Sequence, residues 1–424
     1  MVHGEAWTLK ELFVYPNEYI YWTIQIVMYP FMTGLVAGAF VLSSLYHVFG
    51  IKQLKDIARF SLVFSFALLP VAMIPLQLHL QHPERGIEVM LTPHFTSAIA
   101  AFGIAISTYG MIVASELWFV YRRHFVETAL ALKGRRDKTI PERGRYLLFS
   151  ALTLGAWDVS EHALEKDEKA VKIMATAGIP VACLLHGYAG FIFGSVKANA
   201  LWTTPLMPFI FICSAVVSGI ALCVLCYIAT MEIRKLIVTW KRKSDPSLPT
   251  PEELRTVEMY EVTMTAKYLV LALLAALGLE LLDLLFRDYA KFKSWEIVRS
   301  LIYGKDFINV FVVQYGLGNL VPLALFLLPR LTVRRAVVAT LLVLMGVFMM
   351  RWNLVIGGQS FSASFAGYMH YNLPIIPDSI ETFKEGVLGA ILVGITPFVI
   401  FWGLNKVFPV FKREGSRAAT DSHI

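Results

Sequence analysis

The stretch Gly178–Leu206, GIPVACLLHGYAGFIFGSVKANALWTTPL, reads first as a long apolar helix. Yet His186 and Tyr188 sit near its middle, with Gly187, Gly190 and Gly194 around them. It ends in a polar, aromatic mouth made by Lys197, Asn199, Trp202, Thr203, Thr204 and Pro205. An imidazole and a phenol at bilayer depth cost free energy, so an ionisable group there points to a site. Plain helix–helix packing is the other reading, because glycine and tyrosine also serve membrane helix interfaces.

The whole chain supports the membrane setting. Of its 424 residues 57% are hydrophobic and 16% charged, and the mean hydropathy is +0.61. Several apolar runs exceed the length that crosses a bilayer, and they lack the period-two alternation of a barrel. The expectation is an all-α polytopic membrane protein. Spans are placed at 19–49, 60–80, 97–121, 173–197, 205–233, 260–287, 308–328, 332–351 and 386–408. A tenth segment, 146–159, is short and runs into Asp158, Glu161 and Glu165. It reads as an interfacial or loop helix, and ten spans is the alternative.

Charge chooses between nine and ten. With nine spans and the N-terminus outside, the inner segments hold 26 Lys/Arg and the outer ones 7. The net charge of +7 is therefore a membrane-flank signal rather than a nucleic-acid one. Ten spans would turn Lys241, Arg242, Lys243, Arg334, Arg335 and Lys412 outward, against the positive-inside rule. The N-terminus has no basic region and cleavage site of a signal peptide, so the first span is expected to be kept. Domains follow: an outer segment 1–18, a first four-helix bundle 19–197 with a cytoplasmic insert 122–172, a second bundle 198–351, an outer loop 352–385, and a C-terminal helix with its tail, 386–424. A loop the size of 352–385 reads as a lid or partner surface. Segment 288–307 reads as lying on the outer interface.

Cys183, Cys213, Cys223 and Cys226 all lie in apolar runs and read as packing residues. No haem-attachment or ferredoxin-type cysteine run occurs, so no iron–sulfur cluster is expected of this chain. Haem is a competitor: a bis-histidine site needs two histidines at one depth, and only His79 and His94 match, close to the water boundary. A short echo, Ile74-Pro75…His79…Thr92-Pro93 against Ile179-Pro180…His186…Thr204-Pro205, is of the kind two-bundle proteins carry.

The remaining polar residues gather in the outer half. They are Gln25 and Tyr29 on the first span, His79 and His82 after the second, His94 before the third, and Trp202 after the fourth. Glu280 and Asp283 follow on the sixth, then Arg351, Asn353 and Gln359 at the end of the eighth. A quinone site needs an apolar slot, one or two donors for the carbonyl oxygens, and a proton route. Tyrosine and histidine suit the donor role, and buried carboxylates suit the route. Glu280 and Asp283 read equally well as ion-pair partners of Arg287. Glu116, near the inner end of the third span, reads as a solvated end or an inner proton entry.

These stretches carry a resemblance. YPFMTGLVAGAFVLSS (29–44), TPHFTSAIAAFG (92–103), HGYAGFIFGSVKANALWTTPLMPFIFICSAVVSGIAL (186–222) and RWNLVIGGQ (351–359) resemble the NrfD/PsrC family of membrane quinone subunits, nearest its DsrP branch, the HmeB-like type. The resemblance implies two four-helix bundles plus a C-terminal helix, and an outer-side menaquinone pocket in the first bundle beside an iron–sulfur subunit. It places the quinone tyrosine on Tyr188 and a histidine partner on His94. Tyr29 or Gln25 falls where the family uses a first-span histidine. His79 and His82 stand where many members have Asp and Arg, which leaves His79, His82, Glu280, Asp283, His186 and Glu116 for proton handling. Arg351, Asn353, Gln359 and Trp202 would form an outer pocket wall or partner surface; for Arg351, packing or contact with lipid phosphate is an equal reading. The implied function is menaquinol/menaquinone electron exchange in dissimilatory sulfur metabolism, with no haem, cluster or metal of the chain's own. The implied partners are an outer ferredoxin-like subunit (DsrO-like), a membrane cytochrome b (DsrM-like), a multihaem cytochrome c (DsrJ-like) and a cytoplasmic iron–sulfur subunit (DsrK-like). The rivals are a secondary transporter or proton pump without a redox role, favoured by Pro70, Pro75 and Pro180, and a purely structural anchor.

The charge count makes a direct prediction. A fluorescent protein fused after Ile424 should fold in the cytoplasm and fluoresce, and alkaline phosphatase fused there should be inactive. The reverse pattern means the orientation is inverted.

Overall fold

A computed structural model describes residues 20–97, 99–134, 139–243, 250, 257–291, 295–361 and 367–410. The N-terminal segment 1–18 and the tail from 411 lie outside the described residues. Among the described residues nine helices are long and apolar enough to span a bilayer: α1 Ile24–His47, α2 Lys52–His79, α3 Ala100–Lys133, α4 Glu161–Gly194, α5 Met207–Arg242, α6 Met259–Ala290, α7 Ile308–Leu327, α8 Val333–Gly357 and α9 Val387–Leu404. They alternate in direction. The face where α1 begins is called proximal below, and the opposite face distal.

Local chemistry sets the ends. Thr23 caps α1 by accepting from the Gln25 N–H, and Thr332 caps α8 by accepting from Arg335. α2 is interrupted after Val71 and restarts at Ile74 with Pro75 in its first turn, where the missing N–H costs nothing. Segment 146–159 is not a span. A helix Ile140–Leu152 opens with a Thr139/Glu142 capping box and stops at Leu154 and Gly155, both in the left-handed region. α3, α4 and α5 run several turns past their apolar stretches on the distal side, because charged residues continue a helix once it has left the hydrocarbon. α7 is π-helical over Ile308–Leu320.

α1 and α5 form the central pair. α1 packs on α5, α2 and α4; α5 packs on α4, α6 and α8; α3 lies against α4, α7 against α8, and α9 against α2. Of the most apolar stretch of α1, 89% is enclosed, against 17% for α6, so α6 faces lipid with Leu271, Leu274, Leu282 and Leu285 exposed. Lipid offers helices no hydrophobic drive to associate, so close backbone approach must supply the contact. Gly38 on α1 and Gly219 on α5 meet backbone to backbone, and Gly318 on α7 meets Gly346 on α8 in the same way. A polar knot ties α1 to α2 and α3: the Val36 carbonyl accepts from Ser65 at 3.0 Å and from Tyr109 at 3.3 Å.

Gly38→Leu should therefore force α1 and α5 apart, at a cost of at least about 1–3 kcal/mol. The expected outcome is a lower thermal midpoint in detergent. Gly278→Leu, at a position where a Cβ meets nothing, should leave it unchanged.

Candidate functional site

The largest fully buried side chain among the described residues is Arg351, a guanidinium with no exposed area. It lies on α8, six residues inside the proximal end at Gly357, because the helix continues through Asn353–Gly357 in π geometry. Arg351 is thus neither at the surface nor on a partner face. One terminal nitrogen donates to His186 Nε2 at 3.1 Å and to Ser214 Oγ at 2.5 Å. The guanidinium carbon stands 3.7 Å from the centroid of the Phe211 ring. His186 Nδ1 lies 3.3 Å from Thr33 Oγ1, whose own proton goes to the Tyr29 carbonyl at 3.0 Å. Arginine only donates, so Nε2 accepts and Nδ1 carries the proton. His186 is a neutral imidazole in a directed chain from Arg351 to Thr33 to the Tyr29 carbonyl. The cluster joins α1, α4, α5 and α8. Gly34 leaves room for it: a Cβ there would stand 3.2 Å from His186 Cε1.

A second polar group surrounds a cavity of about 100 Å³ between α5, α6, α7 and α8. Glu280 accepts from Gln314 at 2.8 Å, and Gln314 in turn accepts from Asn353 at 2.8 Å. Tyr315 is hydrogen-bonded to the same carboxylate. The π geometry of α7 brings Gln314 and Tyr315 into this group. Asn353 Oδ1 is buried with no partner. The volume holds several waters, and the lining is polar enough to bind them. Leu301 and Ile302, from the short π-helical stretch Leu301–Lys305 that follows the helix Trp295–Ser300, also line the cavity. Asp306 lines the same cavity, and burial raises its carboxyl above the usual range.

Asp283 lines the same cavity, but its bonds run to other partners. It is ion-paired with Arg287 at 2.8 Å and accepts from Thr204 at 2.6 Å. Arg287 also donates to the carbonyls of Ala200, Leu201 and Thr203. The ion-pair reading holds for Asp283 and not for Glu280.

The expected quinone residues separate into two groups. Tyr29 is buried on α1 and Tyr188 is half-buried on α4; they lie within electrostatic range of one another. Each is five or six residues, about 8–9 Å, inside the proximal end of its span. Phe102 of α3 meets the Tyr29 ring edge-on at 5.7 Å. Tyr188 is flanked on α4 by Leu184 and Phe191, both exposed toward lipid. Gln25, by contrast, is fully buried against α9, with its amide donating to the Lys384 carbonyl at 2.5 Å. His94 lies in the exposed segment before α3, with Thr96 Oγ1 2.7 Å from its Nδ1.

The other proximal residues are staples. His79 lies 3.1 Å from Glu385, which also accepts from Thr23, and the Ile24 N–H donates to Tyr371. Loop 352–385 is thereby bound to the first bundle at its described residues. Trp202 is buried, stacks on Trp22 at 4.8 Å and donates to the Leu354 carbonyl at 2.6 Å. Gln359 pairs with the backbone of Trp22 in both directions. Trp202, Asn353 and Gln359 are thus interior joints rather than partner surface. His82 is exposed beside Glu84. Glu116 is wholly buried on α3, 3.0 Å from His47 on α1, so it is not a solvated end. Among the described residues no group of three or more His, Cys, Asp or Glu is placed to hold a metal ion. Thr33, Ser214, Gln314, Tyr315 and Trp22 escaped the reading of the sequence; of these Gln314 and Tyr315, an amide and a phenol inside an apolar run, carry a signal there.

Known proteins give this architecture its family. The chain is 28% identical over 345 residues to a selenate reductase subunit of Mesobacillus selenatarsenatis, covering 80% of this chain and 74% of that one. It is 26% identical over 361 residues to a putative dimethyl sulfoxide reductase membrane subunit of Halobacterium salinarum, covering 84% and 71%. Over 227 residues it is 25% identical to the Hdr-like menaquinol oxidoreductase integral membrane subunit of Archaeoglobus fulgidus, covering 54% and 45%. The family described as polysulphide reductase, NrfD, matches residues 15–363, which takes in α1 to α8 with the Arg351 cluster and both tyrosines. The chain belongs to the NrfD family, the polytopic membrane subunits of reductase and oxidoreductase complexes.

Proposed function

We propose that this chain is the quinone-binding membrane subunit of a respiratory complex, oxidising or reducing menaquinone at its proximal side. The observation that carries this reading is the tyrosine pair. Two tyrosines, five or six residues inside the proximal ends of α1 and α4, lie within electrostatic range, with Phe102 against Tyr29 and with Leu184 and Phe191 beside Tyr188 exposed to lipid. An isoprenoid tail would lie along those exposed side chains. Tyr188 and Tyr29 would donate to the quinone oxygens and accept from the hydroxyls of the quinol. Menaquinol releases two electrons and two protons, and the electrons pass to a partner. Gln25 is already engaged, so Tyr29 is the better first-span partner. His94 stays the histidine partner that the family resemblance implies.

In this reading the proximal face is the outer face and the distal loops, rich in Lys/Arg, are cytoplasmic. An iron–sulfur subunit of the DsrO type would dock on the proximal face and take or supply electrons singly. The DsrM-, DsrJ- and DsrK-like partners and a role in dissimilatory sulfur metabolism come with the DsrP resemblance. The relatives named as menaquinol oxidoreductase and reductase subunits support the redox class. A second reading, proton translocation without a redox role, is favoured by the Glu280–Gln314–Asn353 network around its cavity.

Tyr188→Phe, made in the intact complex, should lower menaquinol turnover about tenfold, the loss of one hydrogen bond in the rate-limiting state. Tyr29→Phe should act in the same direction. Wild-type turnover in both variants, together with no menaquinone in lipid extracts of the purified protein, would sink the assignment and leave the second reading.

A further inference from the structure

At the distal face, the ends of α2, α3, α5 and α9 and the helix Ile140–Leu152 enclose a cavity of about 1270 Å³. It shares no residue with the tyrosine pair, the Arg351 cluster or the Glu280 cavity. Six cationic side chains line it: Lys55, Arg59, Arg123, Arg145, Arg234 and Lys406. The carboxylate among the lining residues is Glu127, and Arg123 holds it at 2.7 Å. Arg59, Arg145 and Arg234 have no ion pair among the described residues.

The walls are of the opposite character. Ile233, Ile237, Phe398 and Trp402 line the cavity and are all exposed, so its side is open toward the hydrocarbon. Lys406 Nζ stands 3.6 Å over the Trp402 ring, a lysine–tryptophan pair of the kind that sits at the headgroup level. The cavity is larger than the few hundred to a thousand Å³ usual for a drug-sized ligand. A soluble anion would leave those apolar walls uncovered, and an uncharged lipid would leave Arg59, Arg145 and Arg234 unneutralised.

We propose that this cavity binds an anionic phospholipid, phosphate group inward among Arg59, Arg145 and Arg234, acyl chains leaving along Phe398 and Trp402. Basic pockets between membrane helices next to the headgroup layer have the charge and shape for such lipids. The lipid would also seat α9, whose packing is mainly on α2. The proposal does not depend on the quinone reading, nor on which face is cytoplasmic.

Native mass spectrometry of the full chain in detergent tests it, titrating dioleoylphosphatidylglycerol, dioleoylphosphatidylcholine and glycerol 3-phosphate. Phosphatidylglycerol should bind at least about tenfold tighter than phosphatidylcholine, with glycerol 3-phosphate unable to displace it. Each cation near a charged membrane surface is worth about a factor of five, so Arg59→Gln with Arg234→Gln should weaken phosphatidylglycerol about twenty-five-fold. Arg59→Lys with Arg234→Lys should keep most of the binding. If the glutamine pair does not fold, Arg145→Gln with Lys406→Gln, both exposed cations of the cavity lining, carries the same test. Equal affinity for the two lipids, unchanged binding in the glutamine variants, or displacement by glycerol 3-phosphate would each overturn the proposal.

Discussion

The Arg351 guanidinium is the constraint on which the rest of this structure depends. A charge taken out of water costs several kcal/mol unless donors and dipoles replace the hydration. Among the described residues no carboxylate touches it. Its replacement shell is the hydrogen bonds to His186 and Ser214, worth about 1.5–3 kcal/mol each when one partner is charged, a weaker one to Met350 Sδ at 3.4 Å, and the face of Phe211, worth about 2 kcal/mol when desolvated. These sum to the size of the cost and leave little spare. Helices α1, α4, α5 and α8 must therefore stand where their side chains serve the guanidinium. The same requirement fixes the His186 tautomer, and through Thr33 it reaches the backbone of Tyr29.

Around that centre the fold is joined by two kinds of contact. In the hydrocarbon layer, glycine pairs bring backbones together at Gly38–Gly219 and Gly318–Gly346. At the proximal surface, polar staples take over: Asp283 and Arg287 hold the 200–204 loop, and Trp22, Trp202 and Gln359 hold the 353–359 segment. The tyrosine pair lies between the two layers, deep enough to be shielded from water and close enough to the surface for a partner to approach. That placement fits a family whose members work as subunits.

Much of the fold was legible because bilayer crossing demands apolar length, and nine runs meet it. Helix ends were less so. Hydropathy reports where the hydrocarbon stops, not where hydrogen bonding stops, so α3, α4 and α5 came out short. The same logic misplaced Arg351. A charge was read as the end of α8, whereas the helix continues to Gly357 and carries the charge inside. His186 and Arg351 were each visible as unusual, but their pairing spans 165 positions and follows only from equal depth. Thr33 and Ser214 gave no signal, since hydroxyls in membrane helices commonly bond their own backbone. The π geometry of α7 has no sequence signature, so the meeting of Gln314, Tyr315 and Glu280 could not be read in advance.

The junction of Thr23, Gln25 and His79 with Lys384 and Glu385 bears on how the protein is made. These contacts bridge up to 362 positions of sequence. At about 5–20 residues per second, the ribosome delivers Glu385 on the order of 20–70 s after Thr23. Through that interval the buried amide of Gln25 lacks its acceptor and His79 lacks its carboxylate. The first bundle enters the membrane with its proximal rim unfinished, and the short helix before α9 completes it. Assembly of that face, and of any partner that docks there, is thereby tied to the synthesis of Lys384 and Glu385.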